Sequence, residues 1–185
     1  KDFISHINKL NISLSSIILP SLFETNSFLI KNKETSLIEY SAFFGSIQIF
    51  QYLRLSNVEL KPSLWLYAIH SKNAELIHLL EENNVEPPNK NFEKCLEESI
   101  KCHHNDIANY IIDNLIKEFD KNYNMENKYN QNIVSYSFHY YNFAYIINNK
   151  FVFHYACQYN YINLVKLLVN IEKVDLNAKV VYYKI

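Results

Sequence analysis

Small and apolar residues along the chain fall into one skeleton that recurs five times. A small anchor is followed eight and nine positions later by a pair, usually apolar, and at twelve by another apolar residue. The copies are Ser41 with Ile49-Phe50 and Leu53, Ala68 with Leu76-Ile77 and Leu80, and Ser99 with Ile107-Ala108 and Ile111. Then come Ser137 with Tyr145-Ile146, and Asn149 at the last apolar position, and finally Ala156 with Leu164-Val165 and Leu168. The anchors lie 27, 31, 38 and 19 residues apart, so the fourth repeat is truncated or is a helix pair of a different kind. Self-similarity of this length marks a repeat architecture.

Each repeat is expected to form two short antiparallel helices. Before the midpoint, apolar residues recur at helical spacing, as in Leu37-Ile38 with Ser41-Ala42, Leu64-Trp65 with Ala68-Ile69, and Phe151-Val152 with Tyr155-Ala156. Turns are expected at Gly45-Ser46, Lys72-Asn73, His103-His104, Tyr141-Asn142 and Asn160-Tyr161. Ser46, Asn73 and Asn142 can cap the second helices through their side-chain oxygens. A small anchor lets neighbouring helices approach closely, and one hairpin cannot bury its apolar face alone, so the repeats must stack. Loops are predicted at Ser56-Asn57, Asn83-Asn84 and Pro87-Pro88-Asn89, and over the polar stretch from Asp120 to Asn132, read as the flexible segment. Residues 1–34 do not match the skeleton and read as two or three helices, broken at Pro20, that cap the array.

Composition narrows this picture. Of 185 residues, 49% are hydrophobic and 20% charged, enough apolar surface for a globular core. The formal net charge of -1 disfavours a general nucleic-acid binder or a polybasic membrane-surface segment. Gly occurs once, at Gly45, so a Gly-rich phosphate loop is disfavoured and Asn is expected to take several left-handed turn positions. Cys95, Cys102 and Cys157 are an odd count without framework spacing, which fits a reducing compartment, cytoplasmic or nuclear. The longest apolar stretch, Ile12 to Phe23, is too short and polar to span a bilayer. A chain that opens on Lys1 reads as an excerpt of a longer protein.

The fifth repeat carries a family resemblance. Phe153-His154-Tyr155-Ala156-Cys157 resembles the first-helix signature of the ankyrin repeat, Leu164-Val165-Lys166-Leu167-Leu168 its second helix, and Asp175-Leu176-Asn177-Ala178-Lys179 the finger leading to the next repeat. Leu37 to Ser46, Ser63 to Ile69 and Tyr140 to Ala144 are similar to divergent ankyrin-like repeats of some single-celled eukaryotes. The first-helix Thr-Pro pair is missing, with Pro62-Ser63 coming near, and the 27-residue interval suits a bare loop rather than a β-hairpin finger. The resemblance implies an all-α solenoid: residues 1–34 a helical cap, 35–179 the array, and 180–185 the start of a following repeat.

Candidate chemistry is weighed against packing at each place. Cys95, Cys102, His103 and His104 offer soft ligands for zinc, but Cys102, His103 and His104 cannot all point one way from a helix end, and buried packing cysteines are the preferred reading. His154 and Cys157 are close enough on a helix for a base and nucleophile, yet the family resemblance gives that His a structural role across repeats. Tyr136, Phe138, Tyr140, Tyr141, Phe143 and Tyr145 could stack bases, but nearby charge is too sparse, which leaves core aromatics. Glu81-Glu82 and Glu97-Glu98 read as solvated helix faces.

No catalytic residue, cofactor, metal or small-molecule substrate is therefore expected. The expected function is a non-enzymatic protein-interaction scaffold whose partner is another protein, not nucleic acid or membrane. Loop-tip positions Asn57, Glu59, Asn84, Glu86 and Lys173 are the expected contacts. The alternative is a structural or regulatory segment of a larger enzyme or membrane protein.

Overall fold

The computed structural model describes residues 2–116, 125–147, 149 and 151–170, with the backbone alone over 125–131. The chain divides into two compact bodies, Lys1–Phe119 and Asp120–Ile185. The described elements are helical apart from one two-residue strand pair, the all-α class that the resemblance implies.

In the N-terminal body, α1 (Asp2–Leu10) and α2 (Ser27–Lys31) precede the repeats. Between and after them lies a feature the sequence did not announce: β1 (Ile17–Ile18) pairs antiparallel with β2 (Thr35–Ser36). Repeat one is α3 (Leu37–Phe43) and α4 (Ile47–Leu55), repeat two α5 (Leu64–Ser71) and α6 (Ala74–Glu82). Repeat three is α7 (Glu93–Lys101) and α8 (Asn105–Tyr110), continued by a π-helical segment, Ile111–Ile116. Residues 56–63, between repeats one and two, contain no strand, as the short interval suggested.

In the C-terminal body, repeat four is α9 (Met125–His139) and the single turn α10 (Phe143–Ile146), which is the truncation implied by its short spacing. The helix already begins at Met125, so the polar stretch expected to be a loop through Asn132 is helical from there. Met125, Glu126, Lys128 and Gln131 favour helix there, and Val134 and Phe138 further along α9 pack into the core of this body. Repeat five is α11 (Val152–Gln158) and α12 (Ile162–Val169). The expected finger at Asp175 to Lys179 and the tail 180–185 lie outside the described residues.

The skeleton decides what is buried. Ala68, Ser99, Ser137 and Ala156 are fully buried and Ser41 nearly so. The hydroxyls of Ser41 and Ser99 donate back to Ile38 O and Leu96 O, at 2.7 and 2.8 Å, so two polar anchors cost little to bury. At nine and twelve residues beyond the anchors, Phe50 and Leu53, Ile77 and Leu80, and Ala108 and Ile111 are buried in the first body. Because the anchors are small, α3 packs beside α5 and α5 beside α7.

Every midpoint turn has one geometry. Gly45, Lys72, His103, Tyr141 and Asn160 all adopt φ between 54° and 65°. Each donates its N–H to the carbonyl three residues back, from Gly45 to Ala42 through to Asn160 to Cys157. In repeats one, three, four and five the next N–H closes onto the anchor carbonyl: Ser46 to Ser41, His104 to Ser99, Asn142 to Ser137 and Tyr161 to Ala156. This is the Schellman closure, which satisfies carbonyls that the helix end would leave unpaired. Of the three expected caps, Asn73 works, its Oδ1 accepting from Glu75 N–H at 3.0 Å. Ser46 and Asn142 make no such bond, because their ψ values of 73° and 57° fall short of the extended backbone that a capping side chain needs.

α1 and α2 pack on repeats one and two through rings. Phe3 meets Tyr52 edge-on at 6.2 Å, and Phe28 contacts Phe43, Tyr67 and His70 at 6.0, 4.9 and 4.1 Å.

Candidate functional site

The loops leaving the second helices carry four of the five expected contact residues. Asn57 and Asn84 are both exposed and occupy equivalent positions, with φ of 62° and 51°. The N–H groups after them close onto Leu53 O and Leu80 O, Val58 at 3.1 Å and Val85 at 3.0 Å. The left-handed turn alone therefore accounts for an Asn at each place. Glu59 and Glu86, two residues further on, are also equivalent and exposed. Lys173 lies outside the described residues.

Two notches, each of about 300 Å³, lie along α6 where repeat two meets repeat three. The first is lined by Ala74, Ile77, Ile107 and Tyr110, with Lys72, His78 and Asp106 around them. The second is lined by Trp65, Phe92 and Leu115, with Glu81, Asn84 and Glu86 among its polar residues. Trp65 donates its indole N–H to Val85 O at 2.9 Å and meets Phe92 edge-on at 5.0 Å. A rung separates the notches: the Tyr110 hydroxyl donates to Glu81 Oε2 at 2.8 Å, and His78 Nδ1 lies 3.1 Å from the same oxygen. Glu81 is thus not a free solvated carboxylate, as its acidic run had suggested.

Glu98 departs further from that reading. Its side chain is 13% exposed and holds His70 Nε2 at 2.8 Å and Lys101 Nζ at 2.7 Å. Burial opposes its charged form, but hydrogen bonds from His70 and Lys101 outweigh it and keep the carboxyl below its ordinary range. The signal was available: His70 stands two residues after one anchor, and Glu98 and Cys102 flank the next, so adjacent repeats laid in register bring them together.

The four residues weighed for zinc do not converge. Cys95 is fully buried in the core. His104 Nδ1 lies 2.8 Å from Ile69 O, and His103 supplies the left-handed turn. Instead His70, Glu98 and Cys102 place ligand atoms within 4.8 Å of one another. Cys102 Sγ is 3.6 Å from Nδ1 and 3.7 Å from Nε2 of His70, off the line of either nitrogen lone pair, and Lys101 occupies the Glu98 oxygen that faces the ring. That geometry is an ion-pair and packing cluster joining two repeats. Burial, reinforced by the Glu98 carboxylate, pushes the thiols of Cys95 and Cys102 up to about 12, so both stay protonated at neutral pH.

In repeat five, Cys157 is exposed, whereas His154 Nδ1 is buried without a hydrogen-bond partner among the described residues. The position of His154, two before the anchor, is filled in repeat one by Glu39, which accepts from Ser36, the N-cap of its helix, and from Ser63 at the start of repeat two. Of the aromatics in repeat four, Phe138 is buried at the centre of rings from Phe143, Tyr155, Tyr159 and Tyr161, while Tyr141 is exposed. Among the described residues no helix is long and apolar enough to cross a membrane.

The ankyrin-repeat family model matches residues 148–180. The chain carries an ankyrin repeat. No curated protein and no solved structure matches the chain. Within the described part of this ankyrin repeat, Ala156 is the buried small residue of the first helix and Leu168 the buried position of the second. Ankyrin repeats are protein-interaction modules, and the divergence of the other four copies is consistent with a single match.

Proposed function

We propose that the chain is a non-enzymatic protein-interaction scaffold, with residues 35–179 as the array, 1–34 as its cap and 180–185 as the start of a further repeat. The observation that carries this reading is the shared hairpin geometry: five buried small anchors, each followed by the same left-handed turn, one of them in a matched ankyrin repeat. Such hairpins spend their apolar residues on packing and leave loops and turns free to vary, which suits recognition. The rings that α1 and α2 lay on repeats one and two support the cap. A net charge of -1 supports a protein partner over nucleic acid, and the odd cysteine count supports a reducing compartment, cytoplasmic or nuclear. Glu59 and Glu86, exposed at equivalent loop positions, are proposed contacts, as are Asn57, Asn84 and Lys173.

The test is affinity capture from the source cell with the chain as bait, followed by calorimetry with the purified partner. A saturable one-to-one complex, weakened by Glu59→Lys with Glu86→Lys, is the expected result. A chain that binds no protein above background contradicts the proposal.

A further inference from the structure

Three features meet at the second notch. Its apolar wall is aromatic, built from Trp65 and Phe92, both almost wholly buried, and completed by Leu115. Among the described residues, the titratable ones that line it, Glu81 and Glu86, are acids. Leu115 reaches it from the π-helical segment Ile111–Ile116, a winding that is uncommon in helices and recurs at functional sites.

Each feature restricts what can sit there. The indole N–H of Trp65 is already given to Val85 O, so the wall has no free donor there for an anion. Glu81 is held by Tyr110 and His78, which fixes one carboxylate in place, while Glu86 is exposed at the rim. A negatively charged or purely polar group would meet like charge and apolar rings. A side chain with a long aliphatic stem and a cationic head satisfies both parts: the stem covers the apolar wall and the head reaches the carboxylates. The volume of about 300 Å³ admits one such side chain.

We propose that this notch seats a Lys or Arg side chain presented by a protein partner, an inference that rests on the scaffold reading above. The seat lies beside α6, so it uses the layer of second helices and the loop that follows them. It gives Glu86 a specific role, pairing with the incoming cation. The turn residue Asn84 sets where that loop leaves the helix.

The test uses capped pentapeptides, Ala-Ala-X-Ala-Ala, with X as Arg, Lys, norleucine or Glu, titrated into the full chain. Two signals report occupancy: the emission of Trp65, the chain's single tryptophan, and the amide and indole shifts in a nitrogen-proton correlation spectrum. The Arg and Lys peptides are expected to shift the Trp65 indole and the loop 84–87 saturably, and to bind more weakly as salt is raised. Glu86→Gln is expected to weaken them about two- to fivefold, the range of an exposed ion pair. Glu82→Gln, an exposed neighbour that does not line the notch, is expected to leave binding unchanged.

Norleucine binding as tightly as Arg would overturn the cationic occupant. Preference for Glu, shifts that map away from Trp65, or no binding by any peptide would overturn the notch as a seat. None of these outcomes touches the capture experiment, which decides the scaffold reading on its own.

Discussion

Replacing Trp65 by Phe and by Ala separates two contributions at the centre of repeat two. Trp65 is 1% exposed, stacks edge-on against Phe92, and donates its only polar hydrogen to the buried carbonyl of Val85. Trp65→Phe keeps an aromatic ring in the wall but removes the donor. A buried acceptor left without its partner costs roughly 1–3 kcal/mol. Trp65→Ala also empties the space that the ring system fills, and truncations of that kind cost roughly 3–5 kcal/mol in well-packed cores. Since whole domains are stable by only about 5–15 kcal/mol, the Ala variant should lose a large share of the stability of the first body. The assay is urea unfolding followed by circular dichroism, which does not depend on the residue removed. The Phe variant should retain the wild-type slope with a lower midpoint, and the Ala variant should unfold at a midpoint lower still. If Trp65→Phe unfolds at the wild-type midpoint, the hydrogen bond that closes the loop at Val85 is not stabilising repeat two, and the account of that loop fails.

Three further outcomes follow from other parts of the structure. Gly45→Ala places a Cβ in ordinary contact with Ser71 at 3.5 Å but at φ +65°, so backbone strain of roughly 1–2 kcal/mol, partly offset by a stiffer unfolded chain, should lower the urea midpoint; an unchanged midpoint would mean the turn can relax. Iodoacetamide should modify the exposed Cys157 in the native protein and reach the buried Cys95 only after denaturation; zinc bound stoichiometrically and lost in Cys95→Ala with Cys102→Ala would reverse the packing reading. Burial, opposed in part by the Ile69 carbonyl, holds His104 below its ordinary imidazole range. The unfolded chain therefore takes up that proton first, so its stability is complete above about pH 6.5 and falls on acidification toward the lower folded value; His104→Gln should flatten the melting temperature between pH 7 and pH 5, and an unaltered slope would assign it elsewhere.

The skeleton was legible in the sequence because burial follows small and apolar residues, and their spacing survives divergence. Ser41, Ala68, Ser99, Ser137 and Ala156 align by spacing alone, and all five are buried. Turn positions were legible too, but their conformation was not. Gly45 and Asn160 announce a left-handed residue, whereas Lys72, His103 and Tyr141 adopt it because the helix end requires the closure, against their own preference. The β1–β2 pair was invisible, since two residues paired across an intervening helix carry no periodic signal. The cluster of His70, Glu98 and Cys102 was missed because its members were read along the chain, where Cys102, His103 and His104 are adjacent, rather than across repeats. Asn57 and Asn84, expected as contacts from their loop-tip positions, also make the left-handed turns of those loops.

The claim on which everything rests is that the small anchors sit where neighbouring helices touch. Ala68→Leu and Ala156→Leu place extra bulk at two fully buried anchors, one in each compact body, and Cys157→Leu adds comparable bulk at the exposed position beside the second. Urea unfolding of the three variants against the wild type is the most direct measurement. Each anchor variant should lose roughly 1–3 kcal/mol, the cost of overpacking a close contact, while the exposed control stays within about 0.5 kcal/mol. Anchor variants that unfold at the wild-type midpoint, together with the control, would contradict the repeat alignment and the fold derived from it.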